Sequence, residues 1–229
     1  DRGDLSTETN IETLAINQKK IIKKSIEYSK PIIVATEMLD NMINSPYPTK
    51  AEVLDISNSI QDGATATMLS GETAVGEYPV EAIKVMSKIA KTTISQKDII
   101  VKKKNITANN EIIGMSKAIK SLCLALPINK IIAITISGFA ARIISSQMLS
   151  QPIIAISNDL NLSKTFNIFG NTTGVFYNTV FYKNKLDHIP KCLKFLWKKK
   201  YITEKDMILI TALGYPSKGR RMNLIQTHN

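Results

Sequence analysis

Short, mostly apolar runs that end abruptly in hydroxyls and carboxylates constrain this chain more than any other feature. Ile32-Ile33-Val34-Ala35 stops at Thr36-Glu37, and the run from Ala64 to Leu69 stops at Ser70-Gly71-Glu72-Thr73. A strand with one face in water alternates apolar and polar residues; a continuous run is expected where both faces of a parallel sheet are covered. Between the runs the period is helical. Ile11, Leu14, Ile21, Ile22 and Ile26 share one face across residues 10–29, with an end expected near Ser29 before Lys30-Pro31. Thr9 with Glu12 and Thr49 with Glu52 have capping-box spacing. The second box opens a helix to about Gln61, which Asp62-Gly63 stops, and Pro79 sits in the first turn of another that runs to about Thr93.

Residues 94–110 lose this periodicity and turn polar and basic. A boundary is expected there, with a first domain over 1–95, a linker over 96–110 and a second domain over 111–229. The second part again alternates: helices at about 111–125, 139–148, 160–169 and 185–200, strands at 130–136, 152–156 and around Val175, and a final strand at 207–211. The fold class is α/β throughout.

With 229 residues, 44% of them hydrophobic, the chain can bury a substantial core in one large or two smaller domains. Its formal charge of +11 is compatible with a polyanionic partner, a phosphorylated ligand or a solvated basic surface. Lysines such as Lys19, Lys20, Lys23 and Lys24 fall on helices without the aromatic interleaving that stacks bases, which disfavours nucleic acid. Cys123 and Cys192 lie far apart among apolar residues with no metal-ligand spacing, as expected in a reducing compartment, the cytoplasm or an organelle. No apolar run approaches the ~20 residues a membrane span needs, and no signal pattern opens the chain. The absence of an initial Met suggests a piece of a longer protein.

In parallel α/β folds the reactive groups collect in loops at the carboxyl ends of strands. Three such loops occur early: Asp1-Arg2-Gly3-Asp4, Thr36-Glu37 and Ser70-Gly71-Glu72-Thr73. Taken singly, Asp4, Ser70 and Thr73 read as helix caps. His188 and His228 have no carboxylate or Cys partner in sequence and read as solvent-facing, Trp197 as packed on the sheet, and Met38 with Met42 as core filling.

Jointly, the loops say more. The run KPIIVATEMLDNMINSPYPTKAEVLDISNSIQDGATATMLSGETAVGEYPVEAIKVMSKIA, with RGDL before it, resembles the later part of the catalytic barrel of the pyruvate kinase family. The resemblance implies the C-terminal part of a TIM (β/α)8 barrel followed by an α/β pyruvate-kinase C-terminal-type domain. It implies transfer of a phosphoryl group from phosphoenolpyruvate to ADP, giving pyruvate and ATP, with Mg2+ (or Mn2+) and K+ as cofactors and a homotetrameric assembly. Asp4 then corresponds to a metal ligand, the amides at Arg2 and Gly3 to a cradle for the substrate carboxylate, and Thr36 to the threonine near the reacting carbon. Ser70 and Glu72 correspond to the proton route to the enolate, with Glu72 holding Ser70 or a water in line.

The family's catalytic lysine, its second metal carboxylate and its K+ site precede the Arg-Gly-Asp loop, so this chain alone is expected to be inactive. Asp1, Ser6, Glu37 and Lys50 stand where the family usually has alanine, glycine, glutamine and arginine. Asp1 and Glu37 add negative charge beside a site for a polyanion. In the second domain, Thr135, Ser137 and Gly138 match a loop that in several members cradles a sugar-phosphate effector, and Lys218, Gly219 and Arg220 offer a phosphate clamp. A non-catalytic effector-binding or assembly module of the same family is the alternative, and a basic nucleic-acid-binding protein a more distant one. A barrel piece leaves sheet edges unpaired, so residues 1–95 alone are expected to be unstable and residues from about 110 to 229 to fold independently.

Overall fold

The computed structural model describes residues 1–96, 110–181, 186–212 and 224–228. The chain divides into two compact units, Asp1–Asn105 and Ile106–Asn229.

The first unit runs α1 (Arg2–Glu8), α2 (Leu14–Glu27), β1 (Ile33–Ala35), α3 (Lys50–Asp62), β2 (Ala66–Met68), α4 (Gly71–Ala74) and α5 (Pro79–Ser95). β1 and β2 pair in parallel, Ile33 opposite Ala66 and Ala35 opposite Met68, so the loops that follow them leave from the same end. The Thr49–Glu52 capping box forms in full and Gly63 closes α3 at φ 112°. The Thr9–Glu12 box does not form. Thr9 instead closes α1, its hydroxyl donating back to the carbonyl of Leu5 at 2.7 Å. Ile22, Met38, Leu39, Met42 and Ile56 make a fully buried core. The strands themselves are less covered than their composition led us to expect: Ile33 is 44% and Met68 43% exposed. Two strands cannot close a barrel, so among the described residues each keeps one edge without a strand partner in this unit.

The second unit contains α6 (Asn110–Ala125), β3 (Lys130–Ile134), α7 (Phe139–Ser145), β4 (Ile153–Ser157), α8 (Leu160–Thr165), β5 (Thr172–Phe176), α9 (His188–Lys198), β6 (Ile208–Ala212) and β7 (Leu224–His228). The sheet order is β5-β4-β3-β6-β7. Its first four strands are parallel; β7 adds an antiparallel edge beyond the strand expected to be last. Side-chain alternation splits the core across the sheet. Ile131, Ala133, Ile153, Ala155 and Leu209 face α6, α7 and Phe166, while Ile132, Ile134, Ile154, Ile156 and Ile210 face α9. Apolar residues therefore fill both faces of the central strands, which is why those strands read as continuous runs. Gly174 of β5 lies so close to α8 that a Cβ there would sit 1.8 Å from the carbonyl oxygen of Ser163.

Two sequence readings fail here. His188 is buried, 4% exposed, with its ring 5.4 Å from that of Phe181, because it opens the apolar face of α9. Trp197, expected against the sheet, is 48% exposed on the same helix. Among the described residues no helix is long and apolar enough to cross a membrane.

Candidate active site

The loop after β1 is bent in an unusual way. Thr36 and Glu37 both lie in the left-handed region, at φ 69° and 53°. A β-branched residue there is an outlier, and each such residue costs about 1–3 kcal/mol unless its surroundings hold it. Arg2 supplies the hold. Its Nε donates to the Thr36 carbonyl at 3.0 Å, one terminal nitrogen donates to the Thr36 and Glu37 carbonyls, and the other pairs with Asp55 of α3. The Thr36 hydroxyl accepts from the backbone amides of Arg2 and Gly3, both at 3.1 Å. Its own proton is shared between the Ala35 carbonyl at 2.6 Å and the Asp1 carboxylate at 3.1 Å. Asp1 caps α1, accepting from Gly3 N at 2.9 Å and Asp4 N at 3.4 Å.

The Arg-Gly-Asp stretch and Thr36, more than thirty positions apart, are thus one hydrogen-bonded cluster. The Arg2 and Gly3 amides are answered from within the chain, by the Thr36 hydroxyl and, at Gly3, also by Asp1. Asp1, not Asp4, is the helix cap. Asp4 is exposed, and its carboxylate accepts no hydrogen bond among the described residues.

The loop after β2 joins this cluster through Glu72, which is 2% exposed. One carboxylate oxygen accepts from the amide of Leu39 at 2.8 Å, the other from the amide of Ser70 at 2.7 Å. Glu72 holds Ser70 by its backbone, not its hydroxyl, and the same side chain staples the β2 loop to the β1 loop. The Ser70 hydroxyl makes no hydrogen bond among the described residues. Asp55, which completes the Arg2 grip, escaped sequence reading because its partner lies 53 positions away and neither belongs to a local pattern with the other.

Among the described residues no group of three or more His, Cys, Asp or Glu is arranged to hold a metal. The exposed Asp4 carboxylate is a hard oxygen donor, the type Mg2+ prefers.

In the second unit, Thr135 follows β3 and is buried, Ser137 is exposed, and Gly138 opens α7 at φ 73° against the ring of Phe166. The Arg142 guanidinium lies 5.6 Å above the Phe139 ring. Lys218, Gly219 and Arg220 lie outside the described residues. On the opposite end of the sheet, Lys130 Nζ donates to Asp206 at 2.8 Å. Burial pushes the Asp206 carboxyl up, but hydrogen bonds from Lys130 and Thr203 and the Lys130 charge outweigh it and hold it below the usual carboxylate range. Burial pushes the thiol of Cys123 up to about 11 and that of Cys192 to about 12.

Comparison with known proteins gives the same families on both units. The barrel domain of pyruvate kinase matches residues 1–83 and the alpha/beta domain of pyruvate kinase residues 114–228. A pyruvate kinase of Thermotoga maritima is 38% identical over 229 residues, 98% of this chain and 47% of its own length. One of Borreliella burgdorferi is 36% identical over 95% of this chain and 46% of its own length. The crystal structure of a pyruvate kinase from Cryptosporidium parvum superposes with a TM-score of 0.83 at 28% identity, covering 99% of this chain and 45% of that one. The chain therefore spans about half the length of the curated relatives it matches. With both domain families matched in order along it, the chain belongs to the pyruvate kinase family.

Proposed function

We propose that the full-length protein is a pyruvate kinase, transferring the phosphoryl group of phosphoenolpyruvate to ADP and protonating the resulting enolate to pyruvate. The observation that carries this reading is the cluster in which Thr36, Arg2 and Gly3 meet at the carboxyl end of β1, with the free carboxylate of Asp4 on the same helix turn.

In this reading the amides of Arg2 and Gly3 receive the substrate carboxylate. Because both amides now donate to the Thr36 hydroxyl and Gly3 also to Asp1, substrate must share the first contact and displace the Asp1 carboxylate, a competitor the usual alanine would not present. Thr36 presents its hydroxyl near the reacting carbon. Ser70, whose hydroxyl is uncommitted, serves the proton route, and Glu72 fixes it through the backbone. Asp4 fits as one ligand to Mg2+ (or Mn2+). Bound there, the metal would neutralise charge on the transferred group, the main catalytic demand of phosphoryl transfer.

The second unit, joined through a linker over about 96–110, would bind a sugar-phosphate effector through Thr135, Ser137 and Gly138 with Lys218, Gly219 and Arg220, in a homotetramer with neither nucleic acid nor membrane as partner. Two buried free cysteines go with a reducing compartment, the cytoplasm or an organelle. The Asp1 carboxylate already bound to the Gly3 amide, where a substrate anion would sit, favours a second reading, a non-catalytic effector-binding or assembly module.

Pyruvate formation by the full-length protein separates the two. The kinase reading expects Mg2+-dependent turnover that Asp4→Asn abolishes and Ser70→Ala lowers; a folded full-length protein without turnover would support the module.

A further inference from the structure

The guanidinium of Arg2 grips the loop after β1 through the carbonyls of Thr36 and Glu37. Carbonyls of two successive left-handed residues cannot be satisfied by a regular ladder, and a planar fork with several donors meets both at once. A fork is useful only if it is aimed. The Arg2 side chain is 11% exposed, and among the described residues its carboxylate partner is Asp55, on the first half of α3. We infer that Asp55 is a positioning residue for the proposed reaction: it aims Arg2, Arg2 holds Thr36 and Glu37 in their left-handed conformation, and that conformation sets the Thr36 hydroxyl against the Arg2 and Gly3 amides. The inference rests on the functional reading above only for its effect on turnover; the mechanical link stands by itself. Removing Asp55 leaves a largely buried cation without its counter-charge, held only through the Thr36 and Glu37 carbonyls, and weakens the contact that offsets the cost of the two strained residues.

The link is read by amide hydrogen exchange at residues 36–39 in the 229-residue chain, comparing it with Asp55→Asn, Asp55→Ala and Asp55→Glu. Exchange there accelerates by about tenfold or more in Asp55→Ala and less in Asp55→Glu, while amides of α5 keep their protection. Unchanged exchange at 36–39 overturns the inference whatever the activity. In the full-length protein, Asp55→Ala lowers kcat by about ten- to a hundredfold, the scale of a ~1 Å misplacement. Solvent exchange of pyruvate methyl protons, the reverse of the protonation step, falls further than phosphoryl transfer, a split that loss of folded protein does not produce, and Asp55→Glu restores part of both. Accelerated loop exchange with both rates within about twofold of the parent leaves the mechanical link but overturns the positioning role. If the parent makes no pyruvate, the functional reading fails, and loop exchange alone decides the link.

Discussion

Glu72→Gln removes one atom's worth of chemistry from the junction of two loops. The parent carboxylate has two oxygens and spends both, one on Leu39 N at 2.8 Å and one on Ser70 N at 2.7 Å. Glutamine has one oxygen. Leu39 is fully buried, so the oxygen stays with it and the side-chain NH2 is pushed against the Ser70 amide, donor facing donor. A hydrogen bond to a charged group contributes about 1.5–3 kcal/mol net, and a stranded buried donor costs about 1–3 kcal/mol. Because Ser70 is only partly buried, water relieves some of the second cost, and about 2–4 kcal/mol is expected for Glu72→Gln. Glu72→Ala strands both donors and costs more, about 4 kcal/mol or above. In the full-length protein, at about 2–4 °C per kcal/mol for a domain of about 150–250 residues, the transition that includes this site falls by about 4 °C or more in either variant. Thermal melts of the full-length protein followed by circular dichroism measure it, with Leu39 amide exchange locating the loss. A shift below about 2 °C in Glu72→Ala would refute the staple.

Further expectations come from the second unit and the edges of the first. Gly174→Ala drives a Cβ into the Ser163 carbonyl, 1.8 Å away, and should cost about 3 kcal/mol or more in urea denaturation. Native Cys123 and Cys192 should resist thiol reagents near neutral pH and label fully in denaturant; their raised values stabilise the fold below pH 9.0, a contribution lost as pH rises through about 11 to 12. Asp206→Ala should cost about 2 kcal/mol at neutral pH. Since Asp206 is held low in the native state, that difference should vanish as pH falls below the ordinary carboxylate range and through the depressed value, which paired acid denaturations would show. Residues 1–95, with Ile33 and Met68 half uncovered, should aggregate or melt without cooperativity, whereas 110–229 should melt cooperatively.

The β-α alternation was legible because central strands covered on both faces leave continuous apolar runs, and Thr49-x-x-Glu52 was legible because its partners are local. Thr9-x-x-Glu12 has the same spacing and fails, since the preceding helix claims Thr9 as its own end. β7 went unread for a different reason: an edge strand of mixed polarity, Leu-Ile-Gln-Thr-His, lacks the signal that marks its buried neighbours. His188 was misread because a missing partner in sequence says nothing about burial, which the face of α9 decides. The site shows the same division. Its motif residues announce themselves, while the Arg2–Asp55 pair and the Leu39–Glu72 bond that hold them exist only once distant segments meet.

The most direct test is pyruvate formation from phosphoenolpyruvate and ADP with Mg2+, measured in parallel on the full-length protein and on these 229 residues. Turnover by the first and none by the second is the result the account predicts. A folded full-length protein that forms no pyruvate would contradict it.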